Sequence, residues 1–149
     1  MSVDVCMFDV VGLPTPQGSK TRMPNGAMLE GGSKEARARH RDWRTTVADK
    51  AREQAEQRTG PMDGEIELTV LFRFPMPKSR PKRIREQGSA FKTTMPDLDK
   101  LVRSVGDGLT TGGLIVDDAR LVRIVASKIE TTGWTGAQIV LTNIERNQP

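Results

Sequence analysis

Residues 65–74 read EIELTVLFRF and alternate between polar and apolar side chains. Because successive side chains of a β-strand point to opposite faces of its sheet, every second residue of this stretch shares one face. The regular alternation predicts a strand with one face in the hydrophobic core. The residues on that face are Ile66, Leu68, Val70, Phe72 and Phe74.

Two helices are predicted on either side of this strand. Residues 34–58 carry a helical apolar stripe that is mostly alanine, and small side chains permit close packing on a sheet. Residues 97–110 carry a second stripe, with Pro96 before the helix and Asp97 as its N-cap. The stripes consist of Trp43, Val47, Ala48, Ala51 and Ala55, and of Leu98, Leu101, Val102, Val105 and Leu109.

Three further strands are expected, and two segments rich in proline or glycine are expected to be long loops. The strands are residues 3–11, 120–129 and 137–144, and the loops are residues 12–33 and 75–96. This order predicts an α/β (α+β) fold, in which two helices pack on a mixed sheet of about four strands. A single domain over residues 1–149 fits the length of the chain.

Composition excludes several classes of protein. No apolar run approaches the length of a membrane span, and the acidic N-terminus does not resemble a secretory signal, so we expect a cytoplasmic protein without membrane partners. One cysteine and one histidine exclude an internal disulfide, a His/Cys zinc cage, and any Ser-His-Asp triad not built on His40. Gln17 stands where a P-loop needs glycine, and no nucleotide cofactor is expected.

The charges of the chain are unevenly distributed. The formal net charge is +4, but the segment 97–118 has five acids and two bases and is therefore −3. An acidic segment within a basic protein is typical of a metal-dependent enzyme that acts on nucleic acid. Chance clustering on a solvated surface is the alternative, and charge counts alone favour it.

Both predicted loops contain basic residues that could contact DNA phosphates. The loop 75–96 has six bases against one acid, which indicates a phosphate-contacting segment or a solvated surface loop. Its aromatic residue, Phe91, could wedge into unstacked DNA or pin the loop to the protein. The candidate DNA-binding residues are Lys20, Arg22, Lys78, Arg80, Lys82, Arg83, Arg85, Phe91, Lys92 and Lys100.

Carboxylates at the start of the second helix and after it are candidates for a metal site. Asp97 and Asp99 can turn toward one point, and Asp118 follows where the chain can return beside the helix start. Converging carboxylates repel one another unless a hard cation such as Mg²⁺ neutralises them. Arg103 lies one turn after Asp99 and could stabilise charge on a reacting phosphate. Acids at a helix start are also favoured by its dipole, whatever the function.

The sequence PDLDKLVRSVGDGL, followed by LIVDDARLVR, resembles the RusA family of Holliday-junction resolvases. The family pattern is Asp-x-Asp-Asn-Leu-x-Lys, then Asp-Ala-Leu, a glycine-containing turn, and Asp-Asp before a strand. The segments PTPQGSKTR and Trp43-Arg44 resemble its phage and prophage branch, so the resemblance covers most of the chain. The positions that match the pattern are Asp97, Asp99, Leu101, Asp107, Leu109, Asp117 and Asp118.

The resemblance implies a homodimeric endodeoxyribonuclease that depends on Mg²⁺, for which Mn²⁺ can substitute, and that nicks four-way DNA junctions symmetrically. Asp97, Asp99 and Asp118 would be the metal-binding acids, with Asp117 an adjacent candidate. Arg103 stands where the family has an essential lysine, and Lys100 stands where it usually has asparagine. A less selective flap or fork nuclease, or a non-catalytic junction-binding protein, remains an alternative.

Overall fold

The computed structural model describes residues 4–17, 20–22, 28–30 and 33–144, with backbone alone for 20–22 and 28–30. Seven strands and three helices are found in this part of the chain. In chain order they are β1 Val5–Val11, β2 Lys20–Arg22, β3 Met28–Glu30, α1 Lys34–Glu56, β4 Ile66–Pro75, α2 Lys82–Gln87, β5 Ser89–Phe91, α3 Leu98–Thr111, β6 Leu121–Thr131 and β7 Gly136–Asn143.

Five of the strands form one mixed sheet in the order β1-β7-β4-β6-β5. Strand β4 lies at its centre, antiparallel to β7 and parallel to β6. The apolar face predicted for residues 65–74 is buried along its whole length, and Phe72 is completely inaccessible to solvent. This alternation therefore identified the strand that organises the sheet.

Helices α1 and α3 pack against each other and against the apolar face of β4. Trp43 and Val47 of α1 share one buried cluster with Leu101 and Leu109 of α3. The helices approach closely at Gly108, where an added Cβ would lie 2.6 Å from Val47 Cγ1. The predicted mixed α+β architecture is confirmed, and one sheet with its helices forms one folded unit.

Both segments that were predicted as long loops contain short regular elements. Strands β2 and β3 form a separate antiparallel pair within residues 12–33. Residues 75–96 contain α2, which ends at Gly88 in a left-handed conformation (φ 85°), and β5, which pairs with the end of β6. These elements are too short for an apolar period to be recognised in the sequence. With them, the described part of the chain has five strands in the main sheet and three helices, against the four and two that were predicted. In the described part of the chain, no helix combines the length and apolarity needed to cross a membrane.

Candidate active site and nucleic-acid interface

Asp97 and Asp99 lie at the start of α3, as predicted. Asp97 is the N-cap residue, with extended backbone angles, and its carbonyl oxygen accepts a hydrogen bond from the Leu101 amide at 3.2 Å. Its carboxylate makes no capping hydrogen bond, and Asp99 lies in the first helical turn. Both residues are exposed, so their oxygens face solvent at the positive end of the helix dipole.

Lys128 of β6 fixes the segment that leads into Asp97. Its ammonium group donates hydrogen bonds to the carbonyl oxygens of Thr94 and Pro96, each at 2.7 Å. Charge-assisted hydrogen bonds of this length are stronger than neutral ones. Lys128 therefore couples the start of α3 to the central sheet. The alternation of β6 gave no sign of this role, since a lysine in a strand near the sheet edge is usually solvated.

Asp117 and Asp118 follow a short segment whose Ile115 forms a parallel β-bridge with Met62, a residue before β4. Asp117 caps a 3₁₀ turn over Asp118–Arg120, and its Oδ1 accepts a hydrogen bond from the Ala119 amide at 3.0 Å. The turn lies against α3 at its middle, because a Cβ at Gly106 would be 3.8 Å from Asp118 Cβ. The predicted return of the chain beside α3 is found, but not beside the start of the helix.

The two acidic groups are separated along the helix. Gly106 lies seven residues after Asp99, which corresponds to about 10 Å along the axis. Within residues 4–17 and 33–144, no three Asp, Glu, His or Cys side chains lie close enough together to hold one metal ion. The convergence of Asp97, Asp99 and Asp118 on one point is thus not seen in this structure.

Asp117 and Asp118 share a hydrogen bond and titrate unequally. The pKa of Asp118 is raised, first by its hydrogen bond with Asp117, then by partial burial and by the negative charges of Asp117 and Asp107. The pKa of Asp117 is lowered, chiefly by the hydrogen bond from the Ala119 amide. As pH falls, Asp118 is therefore the first member of the pair to take up a proton. A cluster of oxygen donors with excess negative charge suits a hard divalent cation such as Mg²⁺.

Asp107 is a third acid beside this pair. The side-chain amide of Gln17 donates a hydrogen bond to Asp107 Oδ2 at 2.8 Å, and the Gln17 backbone amide donates to the Lys100 carbonyl oxygen at 3.1 Å. Gln17 thus holds the N-terminal segment against α3. The family pattern contained Asp107, but no site role was assigned to it, and no sequence signal indicated that Gln17 would reach it.

Arg103 is exposed on α3, and Lys100 is partly buried in its first turn. Helical geometry places Arg103 one turn after Asp99, on the same side of the helix. Both bases therefore lie near the acidic start of α3, as the sequence predicted. The role of Arg103 in catalysis and that of Lys100 in DNA binding stay predictions.

Apart from Lys100, the predicted DNA-binding residues fall into three groups. Lys78, Lys82, Arg83 and Arg85 are exposed on and around α2, and Phe91 is 73% exposed on β5. Arg80 and Lys92 instead approach the buried carboxylate of Glu130, at 3.0 and 3.8 Å. The side chains of Lys20 and Arg22 lie outside the described residues.

The ion pairs of Glu130 give Arg80 and Lys92 a structural role. Glu130 is only 6% exposed, and a buried carboxylate needs such partners to offset its loss of hydration. Lys92 also lies over the Phe74 ring, 5.2 Å from its centroid. These charges help to hold the segment 75–96 on the sheet, whereas the bases around α2 project from it.

The chain is similar to a known protein family. Comparison with curated proteins gave no match. The family model described as endodeoxyribonuclease RusA matches residues 18–142, which include α3, both acidic groups and the basic segment around α2. A match over this much of the chain, on the elements that carry the acids, shows that the chain belongs to the RusA endodeoxyribonuclease family.

Proposed function

We propose that this enzyme resolves four-way DNA junctions by metal-dependent hydrolysis, with paired nicks near the branch point. The observation that carries the proposal is that two acidic groups lie on the same helix in a chain of the RusA family: Asp97 and Asp99 at the start of α3, and Asp118, next to Asp117, beside its middle. Basic residues around α2 supply positive charge for the DNA backbone.

Asp97, Asp99 and Asp118 would hold the metal ion, with Asp117 adjacent and Mn²⁺ able to replace Mg²⁺. When held there, such an ion would supply an activated water and stabilisation of the leaving oxygen of the phosphodiester. Asp118 binds a cation only in its ionised form, and the hydrogen bond from the Ala119 amide to the Asp117 carboxylate favours the ionised form of Asp117 beside it. Occupation of the site would require the two acidic groups to move closer together, in which substrate phosphates can assist as additional ligands.

Arg103 would stabilise the negative charge that develops on the reacting phosphate. A guanidinium group does not give up its proton at neutral pH and donates in a fixed fork that matches phosphate oxygens. A role in charge stabilisation therefore survives the replacement of the family lysine, whereas a role as a proton donor would not. Restoring lysine at this position separates the two roles.

Phe91 and the bases around α2 would contact the DNA. A large aromatic side chain that is 73% exposed has little packing reason for its position. Inserted at the branch point, it could stack on an unpaired base, while Lys78, Arg83 and Arg85 contact phosphates. Lys82 is a weaker candidate because Glu86 lies 3.8 Å from its ammonium group on the surface.

A second copy of the chain would complete the enzyme as a homodimer. Strand β5 pairs with β6 only at Ile129–Thr131, so in the described residues the first half of β6 has an open edge. Val122, Ile124 and Val125 are exposed there, at 57%, 46% and 51%. An apolar, unpaired edge suits association with an identical edge, and a two-fold dimer matches the symmetry of a four-way junction.

The test is cleavage of an end-labelled four-way junction beside a linear duplex of the same sequence, with Mg²⁺, Mn²⁺ or EDTA. We expect paired nicks near the branch point that require metal, spare the duplex, and disappear in Asp99→Asn. A flap and a fork in the same series measure selectivity. Equal cutting of all branched substrates would mean a general branched-DNA nuclease, and tight binding without cutting under either metal would refute catalysis.

Two variants refine this test. Asp99→Asn should keep or gain junction affinity in EDTA, because it removes a negative charge near phosphate. Arg103→Lys should retain cleavage if position 103 only stabilises charge, and should accelerate it if the position also transfers a proton. A wild-type protein that binds but does not cut, together with an Arg103→Lys variant that cuts, would show that the arginine has disabled the site.

A further inference from the structure

A groove of about 690 Å³ lies beside the crossing of α1 and α3. Gly108, where the two helices touch closely, is among the residues that line it. One wall is the C-terminal half of α3 with the Asp118 turn, and the other is α1. The groove therefore opens directly beside one of the two acidic groups of the candidate active site.

The α1 wall carries arginines in a row. Arg41, Arg44 and Arg52 line the groove, together with Thr45 and Asp49. Arg41, Thr45 and Arg52 recur at helical spacing on one side of α1, and Arg41 and Arg52 are separated by about 16 Å along the axis. That distance spans several phosphates of one DNA strand, because successive phosphates of a strand are spaced about 3.4 Å apart along the helix axis of duplex DNA.

The opposite wall carries Asp107 and Asp118. A DNA strand in the groove would thus have cations on one side and the acidic group on the other. Phosphates would be drawn to the α1 wall and repelled by the acids, except where a bound metal ion would neutralise the acids. This polarity would place the strand with its backbone along α1 and one phosphate at Asp118.

We infer that this groove binds the backbone of the DNA strand that is cut, with Arg41 and Arg52 contacting phosphates adjacent to the scissile one. The inference rests on the proposed function and assigns a substrate contact to arginines of α1 that were not among the predicted DNA-binding residues. Arg52 is already 3.0 Å from Asp49, but both side chains are more than half exposed, and such surface pairs exchange readily for a phosphate.

The competing explanation is that the arginines only balance the acids across the groove. In that case they stabilise the folded protein and do not contribute to DNA affinity. The two explanations differ in salt dependence, because each phosphate contact releases counterions and steepens the fall of affinity with salt.

The experiment measures the affinity of the full chain for a labelled four-way junction in EDTA over a range of salt concentrations. The test variant is Arg41→Gln/Arg52→Gln, and a charge-retaining variant is Arg41→Lys/Arg52→Lys. Arg39→Gln is the matched control, because Arg39 is an exposed arginine of the same helix that faces a different pocket, beside Trp43. Melting temperatures of all variants are measured in parallel.

For the glutamine double variant, we expect a plot of log affinity against log salt that is shallower by about 1.8, from two contacts at ~0.9 each. We also expect its junction affinity at ~0.1 M salt to be weaker by about fivefold or more. Arg39→Gln and the lysine double variant should keep the wild-type slope. A slope in the glutamine double variant equal to that of Arg39→Gln, with or without a lower melting temperature, would overturn the inference.

A second measurement locates the contact. Single phosphates of the cut strand are replaced by neutral methylphosphonates, and each loss of affinity is measured with wild type and with the glutamine double variant. Replacing a phosphate that the groove contacts should weaken junction binding by the wild type but not by the glutamine double variant, since the replacement and the mutation remove the same contact. Equal losses in both proteins at every position would contradict the assignment. Cleavage by the wild type under Mg²⁺ separates failure of this inference from failure of the proposed function.

Discussion

Two glycines of α3 provide a sensitive test of how the site is built. A Cβ added at Gly108 would lie 2.6 Å from Val47 Cγ1 and 2.8 Å from Val47 Cβ. A Cβ at Gly106 would find only ordinary contacts, at 3.8 Å to Asp118 Cβ and 3.9 Å to Leu121 Cδ1. Alanine at these two positions therefore has the same helix propensity but opposite packing consequences.

The expected magnitudes follow from these distances. Alanine in a helix interior is favoured over glycine by about 1 kcal/mol. At Gly108 the helices must separate by several tenths of an ångström or more, because Val47 is fully buried and β-branched and cannot turn away. Overpacking of this kind costs about 1–3 kcal/mol, and the rigidity of the contact favours the upper end. We expect Gly108→Ala to lose about 2 kcal/mol of unfolding free energy, and Gly106→Ala to gain about 0.5–1 kcal/mol.

The assay is thermal unfolding in EDTA, followed by circular dichroism. For a domain of this size, 1 kcal/mol corresponds to about 2–4 °C, so Gly108→Ala should melt roughly 4–8 °C below the wild type and Gly106→Ala slightly above it. Urea titration with unchanged slope would confirm that stability alone has changed. Shifts of the same sign for both variants would refute the packing argument.

Three other predictions concern charges. Because the pKa of Asp118 is raised, its protonated carboxyl favours the folded state, and this contribution is lost as pH rises through that pKa. In EDTA, Asp118→Asn should therefore melt above the wild type at neutral pH, and the difference should shrink towards pH ~4. A variant that melts below the wild type at neutral pH would contradict this. Lys128→Met, which removes the donor to Thr94 and Pro96, should reduce cleavage by at least about tenfold while junction affinity in EDTA stays within about threefold, and parallel losses of both would argue against a positioning role. Arg80→Gln leaves the buried Glu130 with one partner fewer, so it should lower the melting temperature; junction affinity should fall as well, because the Arg80–Glu130 pair helps to hold the segment 75–96 on the sheet. Arg83→Gln, which changes an exposed base of α2, should lower affinity alone. A melting temperature unchanged by Arg80→Gln would count against the structural role.

The sequence predicted the long elements well, because their apolar periods are continuous. Strand β4 and helix α3 were placed to within one or two residues, including Asp97 as the N-cap. The short elements in residues 75–96 were missed because they are held by contacts between distant positions. The amide of Lys92 donates to the Lys128 carbonyl oxygen, and Arg80 approaches Glu130 across the sheet. Neither partner can be identified from the segment itself.

The candidate site shows why spacing alone could not position its acids. Asp99 and Asp118 were expected to meet because the chain returns to α3 after a turn, and it does return. The point along α3 at which the chain returns is set by two other contacts: the bridge between Met62 and Ile115, and the contact of the Asp118 turn with Gly106. The N-terminal acids are held independently, through Lys128 on the segment before α3. Two acidic groups with separate anchors can approach each other without unfolding either anchor. In the proposed mechanism, binding of metal and DNA phosphates would supply the free energy for that approach, which gives a physical reason for cleavage to depend on both.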